Sequence, residues 1–286
     1  LTVSVNCIFY TDLIDLANTG AESLKIVSFN VNSVRVRIPQ LKELIINESP
    51  DIIGLQETKV QDVDFPVDEI EALGYQVQFH GQKSHYGVAI MSKQQPIEVI
   101  KGFPGDKKEA QARWIGATFT LENGEPIQVF NGYFPQGENR DHEIKFPAKK
   151  KFYKDLLKFL KESCDANNNI AVIGDMNIAP EDVDIGIGEN NAKRWVKAGT
   201  CCFLPEEREW LAKLVEWGLV DTYRELKPDD DQWFSWFDYR SKGFNREPKR
   251  GLRIDLIMAT KPLLQHLSDV GINYEIRAME KPSDHC

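Results

Sequence analysis

The stretch DIIGLQE, residues 51–57, is a short apolar run that ends on a carboxylate. A run of this length and composition predicts a buried strand. A carboxylate at its end is costly to bury unless it is paired or holds a cation. The same form recurs to either side. Residues 25–30, KIVSFN, are a second such strand, with Asn30 at its end and Asn32 close behind. Residues 170–174 run into Asp175-Met176-Asn177, and residues 253–259 form a late strand with Asp255 inside it. Residues 86–92 make another strand, and residues 114–121 pair with 126–133 around the turn Asn123-Gly124. Helices are predicted between them. Ile38, Leu41, Leu44 and Ile45 recur at helical spacing before Pro50, and residues 147–163 carry Phe152, Leu156, Leu157 and Leu160 on one face. Residues 205–217 form a helix with Glu206 and Glu207 at its start and Gly218 at its end. Strands and helices mix throughout with no Pro/Gly/Ser linker, the pattern of an α/β domain whose strand ends build one site.

The chain has 286 residues, of which 42% are hydrophobic and 28% charged. That excludes a collagen-like, coiled-coil or largely disordered chain and allows one large domain or two small ones. No window approaches the roughly 18 uncharged apolar residues of a membrane span. The 35 basic and 44 acidic residues give a net charge of -9. This argues against coating nucleic acid by bulk positive charge, but not against a DNA enzyme that gathers carboxylates around a cation. Two basic clusters stand out. Residues 140–151 hold Arg140, Lys145, Lys149, Lys150 and Lys151 against two acids, and residues 239–253 hold Arg240, Lys242, Arg246, Lys249, Arg250 and Arg253 against Glu247. A solvated face is the ordinary meaning of such runs. The five cysteines include no CxxC pair, and the five histidines include no HxxxH, so disulfides and zinc are disfavoured and a cytoplasmic setting fits. GxSxG and the P-loop are absent, and Gly186 and Gly188 form an isolated GxG. Residues 1–24 lack a basic n-region and carry Asp12, Asp15 and Glu22, so they are expected as an extension outside the core, with a short helix over 12–17.

Asn30, Asn32, Glu57, Asp175, Asn177, Asp255 and Asp284 are all oxygen-bearing side chains at or near strand ends. Any one alone is an ordinary turn residue or cap. Together, without cysteine or paired histidine, they select magnesium or manganese over zinc. His285, beside Asp284, could position or deprotonate water or contact a phosphate, although a histidine this near a chain end is as readily a frayed one.

In chain order, LKIVSFNVN (24–32), DIIGLQETK (51–59), GQKSHYGVA (81–89), NGYFPQGENRDHEIKFPAK (131–149), IGDMNIAP (173–180), FLPEEREW (203–210), WFDYRSKGF (236–244), GLRIDL (251–256) and PSDH (282–285) resemble the exonuclease III family of the endonuclease/exonuclease/phosphatase superfamily. GDMN and SDH mark the superfamily, whereas GYFPQGENRDH, WFDYRSKGF and GLRIDL mark exonuclease III. The resemblance implies a four-layer α/β sandwich, two mixed β-sheets packed face to face with helices outside, as a single domain over 25–286. It implies a Mg²⁺-dependent DNA phosphodiester hydrolase, with Mn²⁺ able to substitute, acting as a monomer on double-stranded DNA with abasic sites or blocked 3′ ends. Glu57 would bind the metal with Asn30, Asn32 and Asp284, while Asp175 would direct water and could bind a second metal. Asn177, also placed among the metal ligands, and Tyr133 would hold the scissile phosphate, and Asp255 would fix His285. Arg113, Lys145, Trp236, Arg240 and Arg253 would contact DNA. The family continues past SDH with a final strand that this sequence lacks, which would leave Asp284 and His285 untethered. The other readings are a phosphoesterase acting on a lipid or inositol headgroup, and an inactive DNA-binding module.

Overall fold

Apolar runs with no polar alternation must be covered on both faces, and this requirement organises the chain. In the computed structural model, which describes residues 10–13 and 24–286, Ile52–Gln56, Val88–Ser92 and Asp255–Thr260 are buried at every position. The strands in chain order are β1 (Tyr10–Leu13), β2 (Leu24–Asn30), β3 (Ile52–Gln56), β4 (Gln76–His80), β5 (Val88–Ser92), β6 (Glu98–Lys101), β7 (Trp114–Thr120), β8 (Pro126–Tyr133), β9 (Asn169–Asp175), β10 (Leu219–Asp221), β11 (Asp255–Thr260) and β12 (Leu267–Gly271). The longer helices are α1 (Val34–Glu48), α3 (Lys145–Ser163), α4 (Glu189–Ala198) and α5 (Pro205–Trp217), with a short α2 (Val67–Glu71).

The strands form two six-stranded mixed sheets, ordered β12-β1-β2-β3-β5-β4 and β10-β11-β9-β8-β7-β6. Each has one parallel pair at its centre, β2 with β3 and β8 with β9. Ile26, Ile52, Val88 and Ile90 of the first sheet meet Ile115, Val129, Ile173 and Ile257 of the second in a shared core. On the outer face of the first sheet, Leu41 and Leu44 of α1 pack on Val27, Phe29, Ile53 and Leu55. On the outer face of the second, Phe152, Leu156 and Leu160 of α3 and Trp210 and Leu214 of α5 pack on Phe130, Val172 and Leu256. These are the four expected layers. Each fully buried leucine is worth about 2 kcal/mol relative to exposure.

Contrary to the expectation that residues 1–24 lie outside the core, Tyr10–Leu13 form β1. It pairs antiparallel with β2 from Tyr10↔Val27 to Leu13↔Leu24, and with β12 on its other side. An unpaired edge of β2 would expose a row of backbone donors and acceptors, and β1 satisfies them. The helix expected over 12–17 is replaced by strand at Asp12 and Leu13, and its remainder lies outside the described residues. No helix among the described residues is long and apolar enough to cross a membrane.

Candidate active site

The two central parallel pairs bring four carboxyl ends to one rim of the sandwich, as open sheets with parallel strands do. Asn30 ends β2 opposite Gln56, the last residue of β3, and Glu57 follows directly. Tyr133 ends β8 directly across from Asp175, which ends β9. Asp255 opens β11 and is the antiparallel partner of Asp175. The β8–β9 approach depends on two glycines. Gly132 faces Gly174, and a Cβ on Gly174 would lie 2.0 Å from the Gly132 carbonyl oxygen. Backbone strain gathers here: Asn32, Glu57 and Asn177 have φ of +42°, +57° and +54°, a conformation that costs energy and clusters at functional sites.

The side chains form one connected group. Asn30 Nδ2 donates to Glu57 Oε2 at 3.1 Å and to Asp175 Oδ2 at 2.9 Å. Asn32 Nδ2 donates to Asp284 Oδ1 at 2.8 Å. His285 Nδ1 bonds Asp255 Oδ2 at 2.8 Å, while its Nε2 lies 3.8 Å from Asp175 Oδ2. The end of the chain is therefore tethered, which corrects the expectation that Asp284 and His285 hang free. Phe237 N donates to Asp284 O at 2.9 Å, Cys286 N to Ser235 O at 2.8 Å, and Ser283 Oγ to Asn30 O at 2.7 Å.

Burial sets the protonation states. It pushes Asp175 up to about 7, with Asp255 adding to the rise and His285 opposing it. Burial would lower His285, but Asp255 and Asp175 outweigh it and push the imidazole up to about 10. Asp284 stays below its ordinary range, because His285 and the Asn32 and Trp236 donors outweigh its burial. Burial, then Glu57, holds the Tyr133 phenol well above its usual value, so it remains a donor.

Asp175, Asp255 and His285 lie close enough together to hold a metal, with His285 Nδ1 already bonded to Asp255 Oδ2 at 2.8 Å. A second set of oxygen donors, of the kind a hard cation takes, converges at Glu57, Asn32 and Asp284. There Lys59 Nζ lies 2.7 Å from Glu57 Oε1 and 2.5 Å from Asn32 Oδ1, a cation already drawn to converging oxygens. Oxygen donors without thiolate suit magnesium or manganese.

A family model described as the endonuclease/exonuclease/phosphatase family matches residues 27–285. The chain belongs to the endonuclease/exonuclease/phosphatase family. It is 54% identical over 263 residues to an exodeoxyribonuclease III of Haemophilus influenzae, covering 92% of this chain and 97% of that one. It is 31% identical over 268 residues to an exodeoxyribonuclease of Bacillus subtilis, again 92% and 97% of the two chains. Among solved structures, a 3′→5′ exonuclease from Neisseria meningitidis superposes with a TM-score of 0.82 at 35% identity, over 91% of this chain and 96% of that one. An AP endonuclease from Archaeoglobus fulgidus gives 0.82 at 35%, over 92% and 96%. The chain is a nuclease of the exonuclease III branch of the family, and its fold is theirs.

Within this family fold, three residues leave the roles read from sequence. Arg253 is fully buried and pairs with Asp184 and Asp221, so it does not reach DNA. Lys149, counted in the basic face, is likewise buried against Glu207. Arg113 is buried with its guanidinium 4.1 Å from the Tyr86 ring centre and 4.7 Å from that of Tyr133, and it donates to Tyr133 O at 2.9 Å. It holds the tyrosine and is not free to enter a lesion. Asn177 donates from Nδ2 to Phe134 O at 3.0 Å, and its Oδ1 faces the Cys202 thiol at 3.9 Å. Its backbone N donates to Asp175 Oδ1 at 3.1 Å, and its side-chain amide keeps a second hydrogen, the kind of donor a phosphate oxygen would take. Trp236 is half-buried, its Nε1 bonded to Asp284 Oδ2 at 3.1 Å. Lys145 and Arg240 are exposed.

Lys59 and Ser235 carry roles that no sequence signal gave. Ser235 Oγ accepts from both Ile254 N and Asp255 N at 2.9 Å and so aims Asp255. Asn131, fully buried between the sheets, donates to Leu55 O and Ala89 O and accepts from Gln56.

Proposed function

We propose that this chain is a metal-dependent DNA phosphodiester hydrolase of base excision repair. It removes nucleotides 3′→5′ from duplex DNA, incises 5′ of abasic sites and clears blocked 3′ ends. The observation that carries this is the single network from Asp255 through His285 and Asp175 to Asn30 and Glu57, which joins a buried base to a hard-cation site. The named activities of the similar proteins support it.

Asp175, near neutrality, takes a proton from water as the oxygen attacks phosphorus, and the opposite P–O bond breaks to release the 3′ oxygen, which takes a proton from solvent. His285, cationic and fixed by Asp255, stabilises the charge beside it. Asn177 and the Tyr133 hydroxyl donate to the non-bridging phosphate oxygens, where charge develops. A divalent cation, magnesium with manganese as a substitute, when bound by Glu57, Asn32 and Asp284 with Asn30 in support, supplies positive charge against the phosphate. All these side chains come from one chain, which supports action as a monomer. Cys164, Cys201 and Cys202 are free thiols, which supports a cytoplasmic setting.

A labelled duplex with one abasic site tests the proposal. In Mg²⁺ the strand is cut on the 5′ side of the lesion, EDTA stops the cutting, and excess Mg²⁺ restores it. Equal cutting in EDTA would overturn the metal role. Hydrolysis of a phosphoinositide headgroup without cleavage of DNA would overturn the substrate class, and DNA binding without turnover would leave an inactive module.

A further inference from the structure

Asn177 sits in the left-handed region, and that conformation has to be held. The three residues of its turn each offer a carbonyl, and each carbonyl is captured. Asp175 O accepts from Phe134 N at 2.9 Å, Met176 O from the Tyr153 hydroxyl at 2.7 Å, and Asn177 O from Lys149 Nζ at 2.8 Å. Lys149 and Tyr153 lie four residues apart on α3, so one buried helix face supplies two of the three donors. Lys149 Nζ also donates to Gln136 O at 3.2 Å, tying the loop after β8 to the same point. Its charge is met by Glu207 of α5, and both side chains are 0% exposed. The other Glu207 oxygen accepts from Leu204 N at 2.8 Å, which fixes Glu207 to the start of α5.

A buried ion pair between two helices is a poor device for stability. Desolvation cancels much of the attraction, and well-packed apolar residues hold such a crossing as well or better. What a lysine does here and a methionine cannot is donate to two loop carbonyls at once. We infer that Lys149, supported by Glu207 and assisted by Tyr153, is a positioning residue that fixes the Asn177 turn for phosphate binding. This rests on the assignment of Asn177 as a phosphate donor. Burial, followed by Glu207, holds the Tyr153 phenol far above its usual value, so its hydroxyl stays a donor at every working pH.

The test is the double variant Lys149→Met with Glu207→Gln, made in the whole chain. Methionine keeps the volume without the donors, and glutamine keeps an acceptor for Leu204 N while leaving no stranded charge. With an abasic duplex in Mg²⁺, kcat falls at least about tenfold, as small displacements of a positioned group do, while KM stays within about twofold. In an Asn177→Ala background the same double change lowers kcat by less than about twofold, because the two sets of changes act through one group. Equal loss in both backgrounds marks a merely structural effect and overturns the inference, and so does an unchanged kcat. If Asn177→Ala alone keeps full kcat, the phosphate-donor assignment is what fails. Should the double variant not fold, Tyr153→Phe, which removes one hydroxyl at constant packing, takes its place in the same two-background comparison. A smaller fall confined to the Asn177 background supports the clamp, and no fall, or the same fall in both backgrounds, overturns it.

Discussion

At the residue scale, Glu57 is where the proposed chemistry is most exposed to test. It stands at φ +57°, accepts from Asn30, and faces the Lys59 ammonium at 2.7 Å. A glutamate gains nothing locally from that backbone, so its position reflects what the oxygens do together. Glu57→Ala removes the carboxylate and relieves none of the charge on a bound phosphate. It is expected to lower kcat by about 10²–10³-fold, the usual cost of one preorganised electrostatic group, while binding of an abasic duplex in EDTA, read by gel shift, changes little. The place of Glu57 at a strand end was legible in sequence because a carboxylate ending an apolar strand has few ordinary uses. Lys59 was not. Its cationic end meets Asn32 only because β2 and β3 run parallel and in register, and the sequence gives no register.

At the scale of elements, a second buried network locks the loop around Asp184 to the strands that carry Asp255. Arg253 Nε donates to Asp184 Oδ1 at 2.5 Å, and its Nη2 lies 2.6 Å from Asp221 Oδ2, while Arg224 meets Asp184 from the other side. Burial alone would raise Asp184, but Arg253 and Arg224 outweigh it and hold the carboxyl below its ordinary 3.8. The folded value is thus below the unfolded one. The stability it contributes is complete above the unfolded value and is lost as pH falls through the folded one. Asp184→Asn leaves the buried Arg224 without its carboxylate and Arg253 with Asp221 alone, and is expected to cost about 3 kcal/mol near pH 7. Urea midpoints measured for both proteins should converge as the pH falls below about 4, since protonation then does to the parent what the substitution does to the variant. A gap that persists unchanged at low pH would count against the ion-pair origin. The same network explains the misplacement of Arg253 on the DNA face. Its charge and its motif were plain in sequence, but its partners lie 69 and 32 residues away and only the fold brings them in. Strand ends could be read because composition changes sharply there; the inward or outward aim of a lysine or arginine leaves no such mark, and Lys149 was misread for the same reason.

For the molecule as a whole, the net charge of -9 has to be reconciled with a polyanionic substrate. Bulk attraction is absent, so binding must rest on a few exposed cations near the rim and on the site itself. Burial has already removed Lys149 and Arg253 from that set. Of the two proposed contacts that remain exposed, Lys145 is ion-paired with Glu138, while Arg240 makes no side-chain ion pair among the described residues. A cation released from water and counterions onto a phosphate contributes about one unit to the slope of log affinity against log salt. Arg240→Ala should therefore lower that slope by about 1 and weaken binding of all duplexes alike, as loss of a phosphate contact does. Lys145→Ala should lower it by less, because Glu138 must give up the ammonium before DNA can take it. Turnover at saturating DNA should stay near the parent value in both, since neither side chain touches the group around Asp175. Titrations of an abasic and an intact duplex over a range of salt concentrations measure all of this at once. Slopes equal to the parent's in both variants would move the DNA to another face, and a larger change at Lys145 than at Arg240 would mean that the Glu138 pair opens without cost.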